Sequence, residues 1–187
     1  REIVIADAVV RALKQAGIRA RHVHVSDNLD AFRKVPVNLP ANYEQYLGMP
    51  LCMVPSPDDR YDSWGDFCLK PFLDSSDKIG VTMDVVYASD KYRSGFFVPA
   101  IERSLSRIDK AKSAIQEVSG RQLDDQWSPI QIMEHGRLKN RQFVRMDSDT
   151  KTITYRGQDG SEHTVRYDDG QVKLDWRLDW PGRWWLL

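Results

Sequence analysis

The order of local sequence patterns is the feature that most constrains the fold of this chain. Up to Gly120, segments with apolar residues at helical spacing alternate with short β-branched runs, which predicts a parallel α/β arrangement. After Gly120, short alternating runs separated by Asp, Gly and Ser predict a small antiparallel β unit. We therefore predict an α/β domain over residues 1–120, a β-rich insertion over 121–170, and a return to the first domain over 171–187.

Periodicity and turn residues also place the individual elements. The predicted helices cover residues 2–17, 62–79 and 98–118, with a brief helix at 41–47 between prolines. The predicted strands cover residues 19–25, 81–87, 130–133, 141–146, 150–156, 163–167 and 172–176. Glycines at 17 and 120 are expected to end the first and the last of the long helices.

Composition excludes several classes of protein. The 187 residues carry 27 basic and 27 acidic side chains, so the net charge of zero gives no global argument for nucleic-acid binding. Cys52 and Cys68 lie far apart and form no Cys-x-x-Cys motif, which favours reduced thiols in a cytoplasmic protein. No apolar stretch approaches the ~20 residues that span a bilayer, so we expect no membrane association.

The C-terminal tract is unusually rich in tryptophan. Four of the six tryptophans lie between Trp176 and Trp185, interspersed with aspartates and arginines. Indole walls next to fixed charges can shape a pocket for a small charged ligand. The alternation over Lys173 to Asp179 also fits a half-buried strand with a solvated outer face, and this segment alone leaves both interpretations open.

A second tract identifies a family resemblance. Residues 25–40 contain Asp-x-x-Asp followed by Arg-Lys-Val-Pro-x-Asn-x-Pro, and Leu-Gly-Met-Pro occupies residues 47–50. Together with the terminal Trp-Arg-x-Asp-Trp-Pro-x-Arg-Trp run, these motifs resemble class I lysyl-tRNA synthetase in order and approximate spacing, across nearly the whole chain. The resemblance implies part of a Rossmann-like nucleotide-binding domain of a class I aminoacyl-tRNA synthetase. It also implies a small antiparallel β insertion that approaches the acceptor end of tRNA.

The activity that this resemblance implies is lysine–tRNA ligation in protein synthesis. Lysine would be activated with ATP and Mg²⁺ and transferred to tRNA(Lys), with lysine, ATP and tRNA(Lys) as partners of an enzyme that is monomeric when intact. Such enzymes carry a His-Ile-Gly-His-like motif before the first helix and a Lys-Met-Ser-Lys-Ser-like loop downstream, which hold the ATP phosphates. Neither motif occurs in these 187 residues, so we expect a fragment of the catalytic domain that is inactive alone.

The same resemblance assigns candidate lysine-binding residues in the C-terminal tract. Trp176 matches the position whose ring packs against bound lysine, and an indole face suits both the aliphatic stem and the ammonium group. Asp179 follows three residues later and is a candidate partner of that ammonium. A salt bridge from Asp179 to Arg177 or Arg183 is an equal alternative.

Further candidates follow the predicted strand over 19–25. Asp27 and Asp30 are placed where open α/β sheets bind ligands, and the family commonly has acids at both positions, although Asn28 here interrupts a frequent acidic pair. Loop capping is the alternative role of Asp30. Arg33 and Lys34 are candidates for the phosphate or nucleotide side of ATP, or else a solvated basic pair. The sequence identifies no catalytic residue.

No metal site is expected from the sequence. His22 and His24 share one face of the predicted strand but have no third Cys or His ligand nearby. Some family members carry a cysteine-ligated zinc ribbon in the insertion, whereas residues 130–137 and 155–163 here contain no cysteine, so we expect no structural zinc. Two other functions remain open: a non-catalytic lysine- or RNA-binding relative, and a purely structural domain in which the Trp176 ring is buried.

Overall fold

In the computed structural model, which describes residues 2–124 and 126–187, the first helix is the one that apolar spacing predicts. α1 spans Glu2–Gln15. The chain turns away from the helix at Gly17, with φ +76°, where the amide of Ile18 donates to the carbonyl of Leu13 and that of Gly17 to the carbonyl of Lys14. This pair of bonds satisfies the last carbonyls of the helix, and glycine adopts the positive φ without steric cost. The predicted glycine stop is therefore confirmed.

Two short parallel strands form a sheet in the N-terminal part. β1 is Val23–Ser26 and β2 is Asp84–Tyr87, paired in parallel from Val23 opposite Asp84 to Ser26 opposite Tyr87. The predicted parallel direction is confirmed. The predicted strands over 19–25 and 81–87 begin too early, because pairing starts only at Val23 and Asp84.

Between these strands the chain builds a small apolar cluster and one long helix. The cluster is formed by Phe32, Tyr43 and Val54, with Trp64 packed against it. The brief predicted helix is a 3-10 helix at Ala41–Tyr46, and α2 spans Trp64–Lys78. The hydroxyl of Ser63 accepts a hydrogen bond from the amide of Asp66, which caps α2 at its N-terminus. The predicted helix over 62–79 is confirmed.

The predicted helix over 98–118 is two helices, so that prediction is wrong. β2 is followed by α3 at Ala88–Arg93, α4 at Val98–Leu105 and α5 at Ile108–Ser119. The backbone leaves the helical region at Arg107, with φ −138° and ψ 34°. The hydroxyl of Ser106 donates to the carbonyl of Arg103 at 3.1 Å, and such a bond competes with the regular backbone pattern. Apolar residues keep their helical spacing across this break, so their spacing alone could not predict it.

The described residues after Gly120 include six strands, which form two antiparallel three-stranded sheets. The strands are β3 Ile130–Glu134, β4 Arg137–Asn140, β5 Gln142–Asp147, β6 Thr152–Arg156, β7 Glu162–Arg166 and β8 Val172–Leu174. The sheet orders are β4-β3-β8 and β5-β6-β7. The predicted antiparallel pairing is confirmed, although the strand predicted over 141–146 is preceded by a separate strand, β4. β8 joins the sheet of β3, with Leu174 opposite Ile130.

The tryptophan-rich tract is a helix, so the strands predicted over 172–176 and considered over 173–179 are correct only up to Leu174, where β8 ends. α6 spans Trp176–Leu186. Asp175 caps it by accepting from the amide of Arg177 at 3.0 Å, and Arg183 binds Asp179 one turn away at 2.7 Å. A capping aspartate and an acid–base pair four residues apart are the sequence signals that favour this helix.

The chain divides into two compact units, Arg1–Ser89 and Asp90–Leu187. The predicted boundaries at residues 120 and 170 do not coincide with this division, and the assignment of a nucleotide-binding domain and an insertion stays a prediction. Within the described residues, no helix combines the length and the apolar character that crossing a bilayer requires.

Candidate functional site

A hydrogen-bonded ladder joins the acidic loop after β1 to the Leu-Gly-Met-Pro turn. The backbone pairs are Asn28 with Cys52, Asp30 with Leu51, and Phe32 with both Gly48 and Met49, at 2.7–2.9 Å. The amide of Asp30 also donates to the carbonyl of Asp27 at 2.9 Å, which closes a tight turn. Two of the motifs that carry the resemblance are therefore built into one local structure at the carboxyl end of β1.

Asn28 binds this loop to the first turn of α3, directly after β2. Its side-chain amide donates to the hydroxyl of Ser89 at 2.8 Å, and its carbonyl oxygen accepts from the amide of Ser89 at 2.9 Å. Asn28 and Ser89 are both buried. An aspartate could not donate through its carboxylate and would bring an uncompensated charge into this buried position. The departure from the usual acidic pair thus has a structural reason.

A cavity of about 390 Å³ lies beside this loop, lined among others by His24, Asp27, Gly65 and Cys68. Burial lowers the pKa of His24, and the nearby carboxylate of Asp27 opposes that effect only partly. Partial burial raises the pKa of the Cys68 thiol, which makes it a weaker nucleophile than an ordinary cysteine. The cavity offers a shaped surface with one carboxylate.

Arg33 and Lys34 project from the loop just after the buried ring of Phe32. Both side chains are exposed, while Phe32 is anchored in the apolar cluster at 3% exposure. Among residues 2–124 and 126–187, no carboxylate forms a salt bridge with either cation. The pair is therefore available to an anionic group. Binding of the ATP phosphates by this pair stays a prediction, with a solvated basic pair as the alternative.

Trp176 opens α6 and keeps much of its ring accessible. The side chain is 52% exposed, so the purely structural alternative, which required a buried ring, is not what the chain adopts. The guanidinium of Arg177 lies 4.8 Å from the centre of the Trp176 ring and is itself paired with Asp175 at 3.3 Å. One face of the indole is thus covered by a cation that Asp175 neutralises.

Asp179 lies at the centre of a buried ionic triad. Its carboxylate accepts from the Lys173 ammonium at 3.1 Å and from the Arg183 guanidinium at 2.7 and 3.1 Å. All three side chains are at most 3% exposed. Of the alternatives considered from the sequence, the salt bridge to Arg183 is the one observed, whereas Arg177 binds Asp175. Trp176 and Asp179 therefore do not share one open face of α6.

The described residues also bear on metal binding. Within residues 2–124 and 126–187, no group of three or more His, Cys, Asp or Glu side chains is arranged to hold a metal ion. His24 instead stacks against Phe72 with ring centres 5.1 Å apart. The predicted lack of structural zinc stays a prediction.

The sequence matches one protein family over residues 1–187, described as tRNA synthetases class I (K). The chain belongs to that family. It is 35% identical to the lysine–tRNA ligase of Methanocaldococcus jannaschii over 98% of its length and 35% of the relative's length. It is also 35% identical to lysine–tRNA ligase 1 of Methanosarcina acetivorans, and 37% identical to the lysine–tRNA ligase of Archaeoglobus fulgidus. These two matches cover 100% of the chain, and 35% and 38% of the relatives. The chain thus spans about a third of the length of these curated relatives.

Within this class I synthetase chain, the candidates fall into two local groups. Asp27, Asp30, Arg33 and Lys34 belong to the loop structure of the first unit, and Trp176 and Asp179 belong to α6 of the second. Sequence reasoning missed the two residues that hold these groups in place. The first is Asn28, which was noted only because it replaces one acid of a pair that is common in the family. The second is Lys173, because nothing in the neighbouring sequence predicts that its side chain is buried.

Proposed function

We propose that the protein to which this chain belongs is a lysine–tRNA ligase. The observation that carries the proposal is the 35–37% identity, over 98–100% of the chain, to relatives that bear that name. In the reaction, the carboxylate of lysine attacks the α-phosphate of ATP and displaces pyrophosphate. A hydroxyl of the terminal ribose of tRNA(Lys) then attacks the carbonyl of lysyl-adenylate and displaces AMP. No protein nucleophile is needed, because orientation and charge stabilisation suffice.

The first unit is proposed to form part of a Rossmann-like nucleotide-binding domain. The support is the parallel pair β1 and β2, with loops and a cavity of about 390 Å³ at the carboxyl end of β1. Open α/β sheets bind ligands at that edge. Residues 121–170 are proposed to be the connective insertion, since they contain the antiparallel strands β3 to β7.

Lysine is proposed to lie against Trp176, which offers an indole face to the aliphatic stem and the ammonium group. By the family resemblance, Asp27 and Asp30 are separately proposed as carboxylates for an ammonium group of the substrate, an assignment made within the first unit alone. Asp179 has both its oxygens engaged by Lys173 and Arg183. We therefore assign to Asp179 the role of fixing α6 under Trp176, in place of direct contact with lysine.

Arg33 and Lys34 are proposed to bind the phosphates of ATP. Both are exposed cations on a loop whose start is anchored by the buried Phe32. Magnesium is a hard cation that prefers carboxylate and phosphate oxygens. When bound, the ion would neutralise phosphate charge. A cytoplasmic location remains part of this proposal.

The test uses the protein in the full length of its reading frame. Aminoacylation of a tRNA transcript with a lysine anticodon is measured with radiolabelled lysine, and lysine binding is measured separately by calorimetry. We expect charging that depends on lysine, ATP and the transcript. Binding of lysine without charging would overturn the ligase proposal and support the non-catalytic relative.

Matched tryptophan variants locate the lysine site. Trp176→Ala should raise the KM for lysine about two- to fivefold, because a cation–π contact at a half-exposed ring contributes about 0.5–1 kcal/mol. Trp176→Phe should retain part of that binding. Trp184→Ala, an indole of the same helix that is 83% exposed, serves as the control. An equal rise in the KM for lysine in Trp176→Ala and Trp184→Ala would show that Trp176 is not part of the lysine site.

A further inference from the structure

A basic groove lies on the second unit, and neither Trp176 nor Asp179 is among the residues that line it. It has a volume of about 460 Å³ and lies among α4, α5 and α6. Three cations and one indole ring contribute to its walls, namely Arg103, Arg107, Lys110 and Trp185. No acidic side chain is among the described residues that line it.

The three cations are not neutralised from within the described part of the chain. Arg103, Arg107 and Lys110 are exposed, and no carboxylate of residues 2–124 or 126–187 forms a salt bridge with them. Glu102, next to Arg103, is instead bound by Lys151 and Tyr167, at 2.7 Å from each. A chain with equal numbers of acids and bases therefore concentrates positive charge at this groove.

Trp185 adds a stacking surface to this charge. Its side chain is 54% exposed, and the guanidinium of Arg103 lies 5.2 Å from the centre of its ring. The arginine is thereby held in position while its N–H groups remain available to an anion. The exposed remainder of the indole can accept a flat ring.

The floor of the groove is made of small residues. A Cβ atom added to Gly182 would lie 3.2 Å from the Cβ of Ala100, which shows how closely α6 approaches α4. Ala111 also contributes to the lining. Small side chains leave room in the groove for a ligand to reach both the cations and the indole.

We propose that this groove binds a single-stranded segment of RNA, with Arg103, Arg107 and Lys110 contacting phosphates and Trp185 stacking on a base. The three cations come from α4, from the break before α5 and from α5, so positive charge is spread over both helices that line the groove, which suits a strand of phosphates better than one isolated phosphate. A basic track combined with an aromatic platform is the usual chemistry of single-strand binding. The identification of that RNA as tRNA rests on the proposed ligase function.

The experiment measures binding of the full-length protein to a fluorescent tRNA transcript with a lysine anticodon at several KCl concentrations. Arg107→Ala and Lys110→Ala should each weaken binding about threefold and reduce the slope of log affinity against log salt by about 0.7 to 0.9. Trp185→Ala should weaken binding about fivefold or more. Arg107→Lys should restore most of the affinity, because it retains the charge.

Control variants keep the outcome interpretable. Lys78→Ala removes an exposed cation from α2, and Trp184→Ala removes the neighbouring indole; both should leave affinity and salt slope unchanged. Circular dichroism melting verifies that every variant folds. An unchanged affinity and salt slope in the Arg107→Ala/Lys110→Ala double variant would overturn the groove proposal.

Lysine calorimetry separates this outcome from failure of the ligase proposal. If lysine binds and is charged but the groove variants bind RNA normally, only the groove proposal fails. If the groove variants lose RNA affinity while lysine does not bind, the groove proposal stands and the ligase proposal fails.

Discussion

The two candidate regions are held together by opposite kinds of chemistry. In the first unit, the neutral amide of Asn28 exchanges two hydrogen bonds with Ser89. In the second, Asp179 binds Lys173 and Arg183 in a triad that is nearly excluded from water. A neutral pair costs little to bury, whereas a buried charge depends on its partners. The two regions should therefore respond very differently to the loss of one side chain.

The largest effect is expected from Asp179→Ala. The change leaves two buried cations without their shared carboxylate, and breaking a buried ion pair typically costs about 3–5 kcal/mol. Urea denaturation should show that loss in the free energy of unfolding. Asp109→Ala, at an exposed acid of α5, is the control and should stay within about 0.5 kcal/mol of the parent. Similar values for both variants would contradict a structural role for the triad.

A smaller effect is expected from Asn28→Ala. It leaves the buried amide of Ser89 without its acceptor, which should cost about 1–3 kcal/mol. Ser89→Ala removes only the hydroxyl and keeps the bond from its backbone amide to Asn28, so it should cost less. Thermal denaturation of both variants tests this order. A larger loss for Ser89→Ala would show that the hydroxyl carries more than the backbone bond.

The stability of the second unit should also depend on pH through Glu102. Burial raises the pKa of Glu102, but hydrogen bonds from Lys151 and Tyr167 outweigh it and leave the pKa below its ordinary value of 4.5. The folded-state pKa is thus depressed, so the stabilisation is present above about pH 4.5 and is lost as the pH falls through the folded value. Glu102→Gln should remove about 1 kcal/mol at pH 7 and less at pH 3. Equal losses at both pH values would exclude the ionised carboxylate as the cause.

The smallest effect on stability is expected from Arg33→Ala and Lys34→Ala. Both side chains are exposed, so the free energy of unfolding should change by less than about 0.5 kcal/mol. If they bind phosphate as proposed, the KM for ATP should rise several-fold, which steady-state aminoacylation measures. An unchanged KM would favour the alternative of a solvated basic pair.

Features fixed by nearby residues could be predicted from the sequence. The first helix and its stop at Gly17 follow from apolar spacing and one glycine, and both lie within a single segment. The break between α4 and α5 could not be found in the same way, because apolar residues keep their helical spacing across Ser106 and Arg107. In the tryptophan tract, the alternation of apolar and charged residues favours a strand, whereas the spacing of Asp179 and Arg183 favours a helix. The helix, capped by Asp175, is the arrangement observed.

The candidate site follows the same division. The position of Asp27 and Asp30 after a strand could be predicted, since it depends on local order. The bond between Asn28 and Ser89 joins residues 61 positions apart, and the burial of Lys173 depends on the packing of α6. The spacing of Asp179 and Arg183 did suggest their pairing, but the second cation of the triad had no local signal.

The backbone ladder between residues 28–32 and 48–52 has a consequence for protein engineering. It fastens both ends of the segment over residues 33–47, so an insertion at an exposed position before the 3-10 helix should leave the acidic turn in place. Doubling a flexible loop costs only about 0.6 kcal/mol in closure entropy. Val37, whose side chain is fully exposed, is consequently a place where a reporter peptide can be carried without displacing Asp27 or Asp30.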